Sequence, residues 1–365
     1  MNKQSLFFAK AQNKIGIVFS RSLIATNPLK HTGKKYPVYI RFLEFCQRKG
    51  WNVFVLTRKT YLGKGVFKGG WAFEKKRKNK LPRSKLTRYP ANAGEFVSLS
   101  PSSVQQAGRY SASRNKFELT KEILKMDLIY DKTGGTKFPP PNEPDLRIVD
   151  SREFKVFCWD KWAVYQKIGE YMPQTFWVGN KENLAKVLLK IKTDWVVLKP
   201  YNGLKGIGIF IGPKEKASGF EFLKNYPKYI AQEFVDTSGG IPGIVNGLHD
   251  LRVVVINGKI VWSHVRTPPP GSFEANVARG GKIKEVACSK LPDSIKKITR
   301  RIAKTFYKEF DNPVFSLDFG MEEKGPLIFE INDQIGFPLW RMKARDTFLN
   351  ELIKNFTQKL KKCNS

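Results

Sequence analysis

Several residue types are scarce in this chain of 365 residues, and each scarcity removes a class of function. The cysteines are few, far apart and free of CxxC spacing, so neither a disulfide scaffold nor a cysteine-held zinc site is expected. The histidines are too scattered for Ser-His-Asp or Cys-His catalysis, and no HExxH motif is present. The residues concerned are Cys46, Cys158, Cys288 and Cys363, with His31, His249 and His264.

Long apolar runs are also missing. No stretch approaches the ~18 apolar residues that a membrane span needs. The opening MNKQSLFFAKAQNK lacks the sustained apolar segment of a secretory signal. A hydrophobic content of 41% with 8 Trp and 27 Phe nevertheless predicts a folded protein. The chain is longer than a single hydrophobic core usually supports. We therefore expect a cytoplasmic protein of two or three subdomains.

Acidic residues are too few to balance the basic ones. The chain has 65 Lys and Arg against 32 Asp and Glu, a formal net charge of +33. The segment from Lys64 to Arg88 is densely basic, with Glu74 as its one acid. Such a charge attracts nucleic acid, acidic peptides or anionic surfaces, while a solvated basic loop is the alternative. The charge indicates an anionic partner without naming one.

The first part of the chain, residues 1–140, predicts a small α/β domain. Short β-branched runs at 14–20 and 51–57 flank a helical pattern at 37–50, which makes one βαβ unit. A strand-like run at 126–131 closes the domain.

Two segments of this first part carry no regular pattern. Residues 60–115 show no clean period, and GKGVFKGG within them lacks the Walker spacing, so we expect a flexible basic loop. PPPNEP at 139–144 predicts a linker to the rest of the chain.

The remainder predicts two lobes of mixed helices and strands, residues 150–235 and 236–362. Its clearest turn is Asn257-Gly258, a dipeptide favoured in two-residue β-hairpins, between RVVVI and KIVWSHV. The fold class is therefore α/β, or α+β. Helices are expected at 150–168, 182–191, 291–310 and 342–360, and further strands at 195–200, 206–212, 314–319 and 326–331.

Three side chains near the end of the chain form a candidate metal site. Glu330 and Asn332 are two residues apart on the predicted strand LIFEIND, so both point to one face. Asp318, on the preceding strand, can stand across from them. Carboxylate and amide oxygens suit Mg²⁺, although pairing of the acids with nearby arginines is the alternative.

Basic residues upstream are suited to phosphate. Lys199 ends an apolar strand, where its ammonium needs an anion, and the glycines of the following turn, Gly206 among them, let the backbone approach phosphates. Arginine suits bidentate phosphate binding and the charge of a phosphoryl group in transfer. The residues on or just after the Asn-Gly hairpin that could act in this way are Arg252, Arg266, Asn276 and Arg279.

Taken in order, these motifs resemble the ATP-grasp superfamily. The resemblance is to RimK-like and glutathione-synthetase-like ligases and to YheC/YheD-type endospore coat-associated proteins, and it covers roughly residues 150–356. It implies an ATP-grasp fold preceded by an N-terminal α/β pre-ATP-grasp domain, with ATP and Mg²⁺ or Mn²⁺ bound between the two lobes.

The resemblance also implies roles for individual residues. DKW and VVLKP match the segments with the two nucleotide-binding lysines, YIAQEFV matches the adenine and ribose segment, and HDLRVVV matches an Asp-x-Arg strand. Implied for nucleotide are Lys161, Lys199, Gln232, Glu233, Phe234, Val235 and Asp250; for catalysis Arg252, Arg266, Asn276 and Arg279; and for metal Asp318, Glu330 and Asn332.

The chain departs from the family pattern at two places. Glu274 lies where RimK-type ligases tend to have an arginine, and DQIGF follows Asn332 in place of a small-Pro-Gly sequence.

The resemblance implies an ATP-dependent carboxylate–amine ligase that acts through an acylphosphate. The excess of basic residues adds the expectation that the N-terminal region docks an acidic or polyanionic substrate. The alternatives are a nucleotide-binding coat or scaffold protein with little turnover, a kinase of the same fold, and an ATP-independent nucleic-acid-binding protein.

Overall fold

The computed structural model describes residues 13–23, 27–75, 115–203, 206–275 and 280–361. Within these ranges the chain forms three β-sheets with helices packed against them. The fold class is α/β with mixed parallel and antiparallel strands, as predicted. No helix in the described ranges is long and apolar enough to cross a membrane.

The first sheet has parallel strands at its centre, because a helix connects its first two strands. β1 pairs in parallel with β2 on one side and with β6 on the other, and an antiparallel group extends the sheet beyond β2. The predicted βαβ unit is confirmed. Its elements are β1 (Lys14–Phe19), α1 (Tyr36–Arg48), β2 (Asn52–Thr57), β3 (Tyr61–Gly63), β4 (Val66–Lys75), β5 (Asn115–Lys125), β6 (Leu128–Lys132) and β7 (Ile148–Val149).

The prediction that GKGVFKGG is a flexible loop was wrong, because β3 and β4 include most of it. Its glycines serve packing within the sheet. A Cβ at Gly69 would lie 2.6 Å from the Thr120 carbonyl oxygen, and one at Gly70 would lie 2.4 Å from a Leu56 methyl group. Residues 76–114, the rest of the predicted basic loop, lie outside the described residues.

The central part of the chain forms a four-stranded antiparallel sheet, in the order β10-β9-β11-β8. The helical region predicted before it is two helices, because Asp160 leaves the helical conformation and its Oδ1 accepts from Trp162 N and Ala163 N, both at 3.0 Å. The elements are α2 (Arg152–Trp159), α3 (Lys161–Ile168), β8 (Thr175–Val178), α4 (Leu184–Leu188), β9 (Trp195–Pro200), β10 (Phe210–Pro213), α5 (Lys214–Ala217) and β11 (Tyr229–Glu233).

The third sheet is antiparallel, in the order β14-β13-β12-β15-β16. Asn257 and Gly258 have φ of 53° and 71°, which confirms the predicted hairpin turn with positive φ at both positions. The elements are β12 (Asp250–Ile256), β13 (Lys259–Thr267), β14 (Lys282–Val286), α6 (Asp293–Glu309), β15 (Phe315–Glu322), β16 (Gly325–Asn332) and α7 (Arg345–Lys361).

One apolar core joins the first sheet to the end of the chain. Phe42 of α1 contacts Phe356 of α7 edge to face, with ring centroids 5.7 Å apart, and Tyr39 stacks on Phe337 at 4.3 Å. The same core includes Trp262 of β13. The central sheet packs on a separate core built around Tyr229 and Leu198.

Candidate active site

A cavity of about 670 Å³ lies where the three sheets meet. Its walls come from the carboxyl ends of β1 and β6, from the central sheet with its glycine-bearing turn, and from β12, β13 and β16. This volume falls within the usual range for small-molecule sites and is large enough for a nucleotide.

Two lysines point into the cavity from the central part of the chain. Lys199 is 7% exposed, and its Nζ donates to Oε1 of Gln232 at 2.9 Å and to the Phe329 carbonyl at 3.2 Å. Lys161, at the start of α3, donates to the Gly203 carbonyl at 2.8 Å and lies 3.4 Å from Oε1 of Glu330. Burial lowers the pKa of Lys199 to about 8, with Lys161 adding to the effect against the pull of Glu330. These ammonium groups are therefore held where an anion would stabilise them.

Next to the lysines, Arg252, Asp318 and Glu330 are neighbours across adjacent strands β12, β15 and β16. Arg252 binds both oxygens of Asp318 at 2.6 Å, and Arg266 of β13 reaches Oδ2 of Asp318 at 2.8 Å. Arg266 also pairs with Asp250. Both arginines thus have acidic partners within the sheet. For Asp318, the structure therefore shows the pairing with arginine that the sequence left open as the alternative to a metal site.

The two aspartates of this network have opposite pKa shifts. Burial opposes ionisation of Asp318, but the charges of Arg252 and Arg266 and their hydrogen bonds hold its pKa well below the usual range. Burial and the neighbouring Asp318 charge raise the pKa of Asp250 to about 7 against the pull of Arg266. Oδ1 of Asp250 and Nε of Arg266 are buried without a hydrogen-bond partner in the described structure.

The oxygens of the predicted metal residues fit a hard cation. Asn332 donates from Nδ2 to Oδ2 of Asp318 at 3.1 Å, which leaves its own Oδ1 as a ligand atom. Glu330 and Asn332 line the cavity, whereas Asp318 is 2% exposed and both of its oxygens already accept hydrogen bonds from Arg252. Mg²⁺ commonly takes one or two carboxylates and completes its shell with phosphate and water. Within the described ranges, no cluster of three or more His, Cys, Asp and Glu residues forms another candidate metal site.

The other end of the cavity is apolar. The backbone from Gln232 to Val235 forms one edge there, and Phe273 covers it, with its ring 5.2 Å from Trp195 and 5.5 Å from Phe234. Such a slot suits a flat aromatic base. The carboxylate of Glu233 accepts a hydrogen bond from the backbone of Lys192 at 2.9 Å, and Gln232 is committed to Lys199 and Thr175.

The structure brings together most of the residues predicted for the site. Asn276 and Arg279 lie outside the described residues. The sequence reasoning missed the contribution of the first sheet. A signal was present in the glycine pair that follows β6, since the carboxyl ends of parallel strands are common ligand sites. The cavity-lining residues of the first sheet that the sequence did not indicate include Arg21, Lys35, Lys132, Gly134 and Gly135.

Two antiparallel sheets that enclose a cavity lined by lysines, with acidic residues beside them, define an ATP-grasp fold. The sequence pattern of the RimK-like ATP-grasp domain matches residues 159–354, more than half of the chain, and the chain belongs to that family. The RimK-like ATP-grasp resemblance inferred from the motifs is thereby confirmed.

Individual relatives agree with this assignment. A probable alpha-L-glutamate ligase of Marinobacter nauticus is 28% identical over 171 residues, which are 46% of this chain and 52% of that protein. The chain thus spans about half the length of the curated relatives it matches.

Solved structures share the fold over nearly the whole chain. D-alanyl-alanine synthetase A from Vibrio cholerae has a TM-score of 0.59 at 12% identity and is covered over 99% of its length by 96% of this chain. A RimK domain ATP-grasp protein from Sphaerobacter thermophilus has a TM-score of 0.54 at 10% identity, with 94% of this chain and 99% of that one covered. At these identities the likeness shows the fold alone.

Proposed function

We propose that this protein is an ATP-dependent ligase that joins a carboxylate to an amine. The observation that carries the proposal is the convergence of Lys161, Lys199 and Glu330 on one cavity in a chain of the RimK-like ATP-grasp family. Two cations beside a carboxylate form an arrangement suited to the phosphates of a metal-bound nucleotide.

The cavity supports one orientation of ATP. The adenine would lie in the apolar slot between Val235 and Phe273, along the backbone of 232–235. The phosphates would then extend over the turn with Gly206, towards Lys161 and Lys199. Gly206 has φ of 75°, so a glycine is favoured there and the backbone can approach a phosphate closely.

Glu330 and Asn332 would hold Mg²⁺, with Asp318 keeping the amide of Asn332 in orientation. The ion would supply charge neutralisation at the phosphate oxygens. Mn²⁺ accepts the same oxygen ligands.

The chemistry that follows has two steps. An oxygen of the substrate carboxylate attacks the γ-phosphorus of ATP, the bond to the β-phosphate oxygen breaks, and ADP and an acylphosphate result. The amine nitrogen then attacks the acyl carbon, releases inorganic phosphate, loses a proton and forms an amide. Lys199 and Lys161 would stabilise the transferred phosphoryl group.

The names of the relatives support amino-acid substrates. Several are probable alpha-L-glutamate ligases, so L-glutamate is the first substrate to test for this chain. An acidic substrate also agrees with the excess of basic residues.

The test combines nucleotide binding with trapping of the intermediate. Mg-ATP is expected to raise the unfolding temperature, and hydroxylamine is expected to intercept the acylphosphate as a hydroxamate when a panel of amino acids is supplied. Glu330→Gln should lose both signals, while Glu309→Gln, on the surface, should keep them. Absence of any nucleotide-dependent stabilisation of the wild-type protein contradicts the proposal.

The same assay separates the alternatives. A kinase leaves the phosphate on its product, and a scaffold protein is stabilised by Mg-ATP without releasing ADP.

A further inference from the structure

The first sheet has a ligand crevice of its own that opens into the cavity. β1 lies between β2 and β6, and both are parallel to it. From the carboxyl end of β1 the chain continues to β2 on one side, while β6 lies on the other side. Open α/β sheets bind ligands at this kind of switch point, outside the carboxyl ends of the strands. The residues that follow β1 and β6, Ser20 and Arg21 on one side and Lys132 to Gly135 on the other, line the cavity.

Two lysine side chains, those of Lys35 and Lys132, line this crevice. Lys132 ends β6, and its Nζ donates to the Ile335 carbonyl at 2.7 Å. Lys35, just before α1, makes no ion pair with any described residue, and its Nζ lies beside Gly336, the residue that follows Ile335. Burial lowers the pKa of Lys132 to about 8, with Lys35 adding to the effect against the pull of Asp131, Asp333 and Asp150. Burial and the charge of Arg252 lower the pKa of Lys35. Like charges held together in this way are stabilised by an anion between them.

The surrounding backbone leaves room for such an anion. Gly134 and Gly135 both have φ of 67°, a conformation that side-chain-bearing residues rarely adopt. On the other side, a Cβ at Gly336 would lie 2.5 Å from Nζ of Lys35. The ammonium can occupy its position because Gly336 has no side chain. Gly336 belongs to the DQIGF segment that departs from the family pattern.

We propose that Lys35 and Lys132 bind a substrate carboxylate that does not react, and so anchor an amino-acid or peptide substrate to the first sheet. The inference rests on the proposed ligase function. The reacting carboxylate must meet the γ-phosphate beside Lys161, Lys199 and Glu330 on the opposite wall. An anion held by Lys35 and Lys132 is therefore a second one, on the far side of the reaction centre.

A carboxylate fits this crevice better than a further phosphate of ATP. The phosphates already have two lysines, and the nucleotide enters from the apolar slot at the central sheet.

The experiment measures binding by calorimetry with Mg²⁺ and a non-hydrolysable ATP analogue present. L-glutamate is compared with L-glutamine, which lacks the side-chain charge. The wild-type protein is expected to bind glutamate about tenfold or more tightly than glutamine, since one charge-assisted contact is worth roughly that factor. Lys35→Met and Lys132→Met should remove the preference, and Lys34→Met, an exposed neighbour, should retain it.

A further variant tests position without loss of charge. Gly336→Ala keeps both lysines but forces the Lys35 ammonium aside, so it should weaken glutamate binding as Lys35→Met does. In all these variants the analogue should bind as in the wild type.

The results that would overturn the anchoring site differ from those that would overturn the proposed ligase function. No preference for glutamate in a wild-type protein that binds the analogue overturns the anchoring site alone. Loss of analogue binding in Lys35→Met or Lys132→Met assigns the lysines to phosphate and also overturns it. If the wild-type protein binds no nucleotide at all, the ligase proposal itself fails.

Discussion

The carboxamide of Asn332 donates to Oδ2 of Asp318 across 3.1 Å, and Asp318 is in turn fixed by Arg252 and Arg266. This contact determines which end of the amide faces the cavity. Nδ2 is directed to the carboxylate, so Oδ1 is the atom left for a cation. The salt-bridge network of the third sheet thereby orients a side chain that we propose for the metal.

We predict that Asn332→Ala weakens metal binding with little effect on nucleotide affinity in the absence of metal. Loss of one neutral oxygen ligand should raise the Mg²⁺ dissociation constant about tenfold, measured by titration of metal into the ADP complex. Unchanged affinity for Mg²⁺ would show that Asn332 is not a ligand.

Asp318→Asn should destabilise the protein strongly. It leaves Arg252 without an anionic partner and Arg266 with Asp250 alone, and breaking a buried pair costs about 3 kcal/mol. Urea unfolding at pH 7 measures the loss, with Asp293→Asn as control because that carboxylate is 99% exposed.

Acid should reduce the contribution that Asp318 makes to the free energy of unfolding of the wild-type protein. The folded pKa of Asp318 lies below its unfolded value, so its contribution is complete above about pH 4 and is lost as the pH falls further. The difference in free energy of unfolding between wild type and Asp318→Asn should therefore shrink in acid; a constant difference contradicts the assignment.

Lys199→Met is expected to make the nucleotide-free protein more stable. The folded pKa is about 8 against 10.5 for the free group, so the unfolded chain binds more protons between these values and charged Lys199 opposes folding at neutral pH. We expect a gain of about 1 kcal/mol at pH 7, reduced by the Gln232 contact that is lost. Thermal unfolding at pH 7 measures it, with Lys190→Met on the surface as control.

The same substitution should abolish stabilisation by Mg-ATP. In the wild type, ATP affinity should fall as the pH rises above about 8, where Lys199 loses its charge, and this fall should be absent from the variant. A wild-type affinity that is flat between pH 7 and 9.5 contradicts this role of Lys199.

Phe273→Ala should weaken ATP binding through the base alone. The ring contacts Trp195 and Phe234 above the apolar slot, and loss of such aromatic packing corresponds to about a fivefold change in affinity. Tripolyphosphate, which has no base, should bind the variant as it binds the wild type. Leu189→Ala, with a side chain 89% exposed, is the matched surface control.

Local patterns in the sequence predicted the local parts of this structure. The period of two along β16 placed Glu330 and Asn332 on one face, and Asn257-Gly258 marked its hairpin, because both depend on neighbouring residues only. Lys199 was noticeable because a lysine at the end of an apolar strand needs a partner.

Features that depend on distant pairing were not accessible in this way. β4 and β5 pair across 39 intervening residues, and the role of Gly69 is visible only once Thr120 lies against it. Lys35 and Lys132 meet because β1 and β6 are adjacent, which no short pattern encodes. The pairing of Asp318 with Arg252 likewise follows from strand register.

The core shared by α1 and α7 bears on how the protein can fold during synthesis. α1 and the first sheet leave the ribosome before α7, but the apolar face formed by Phe42 and Trp51 is covered by Phe356 of α7. The usual order, in which an N-terminal domain completes folding first, is therefore unavailable to this chain. Its first sheet must wait, with one face uncovered, until α7 has been translated.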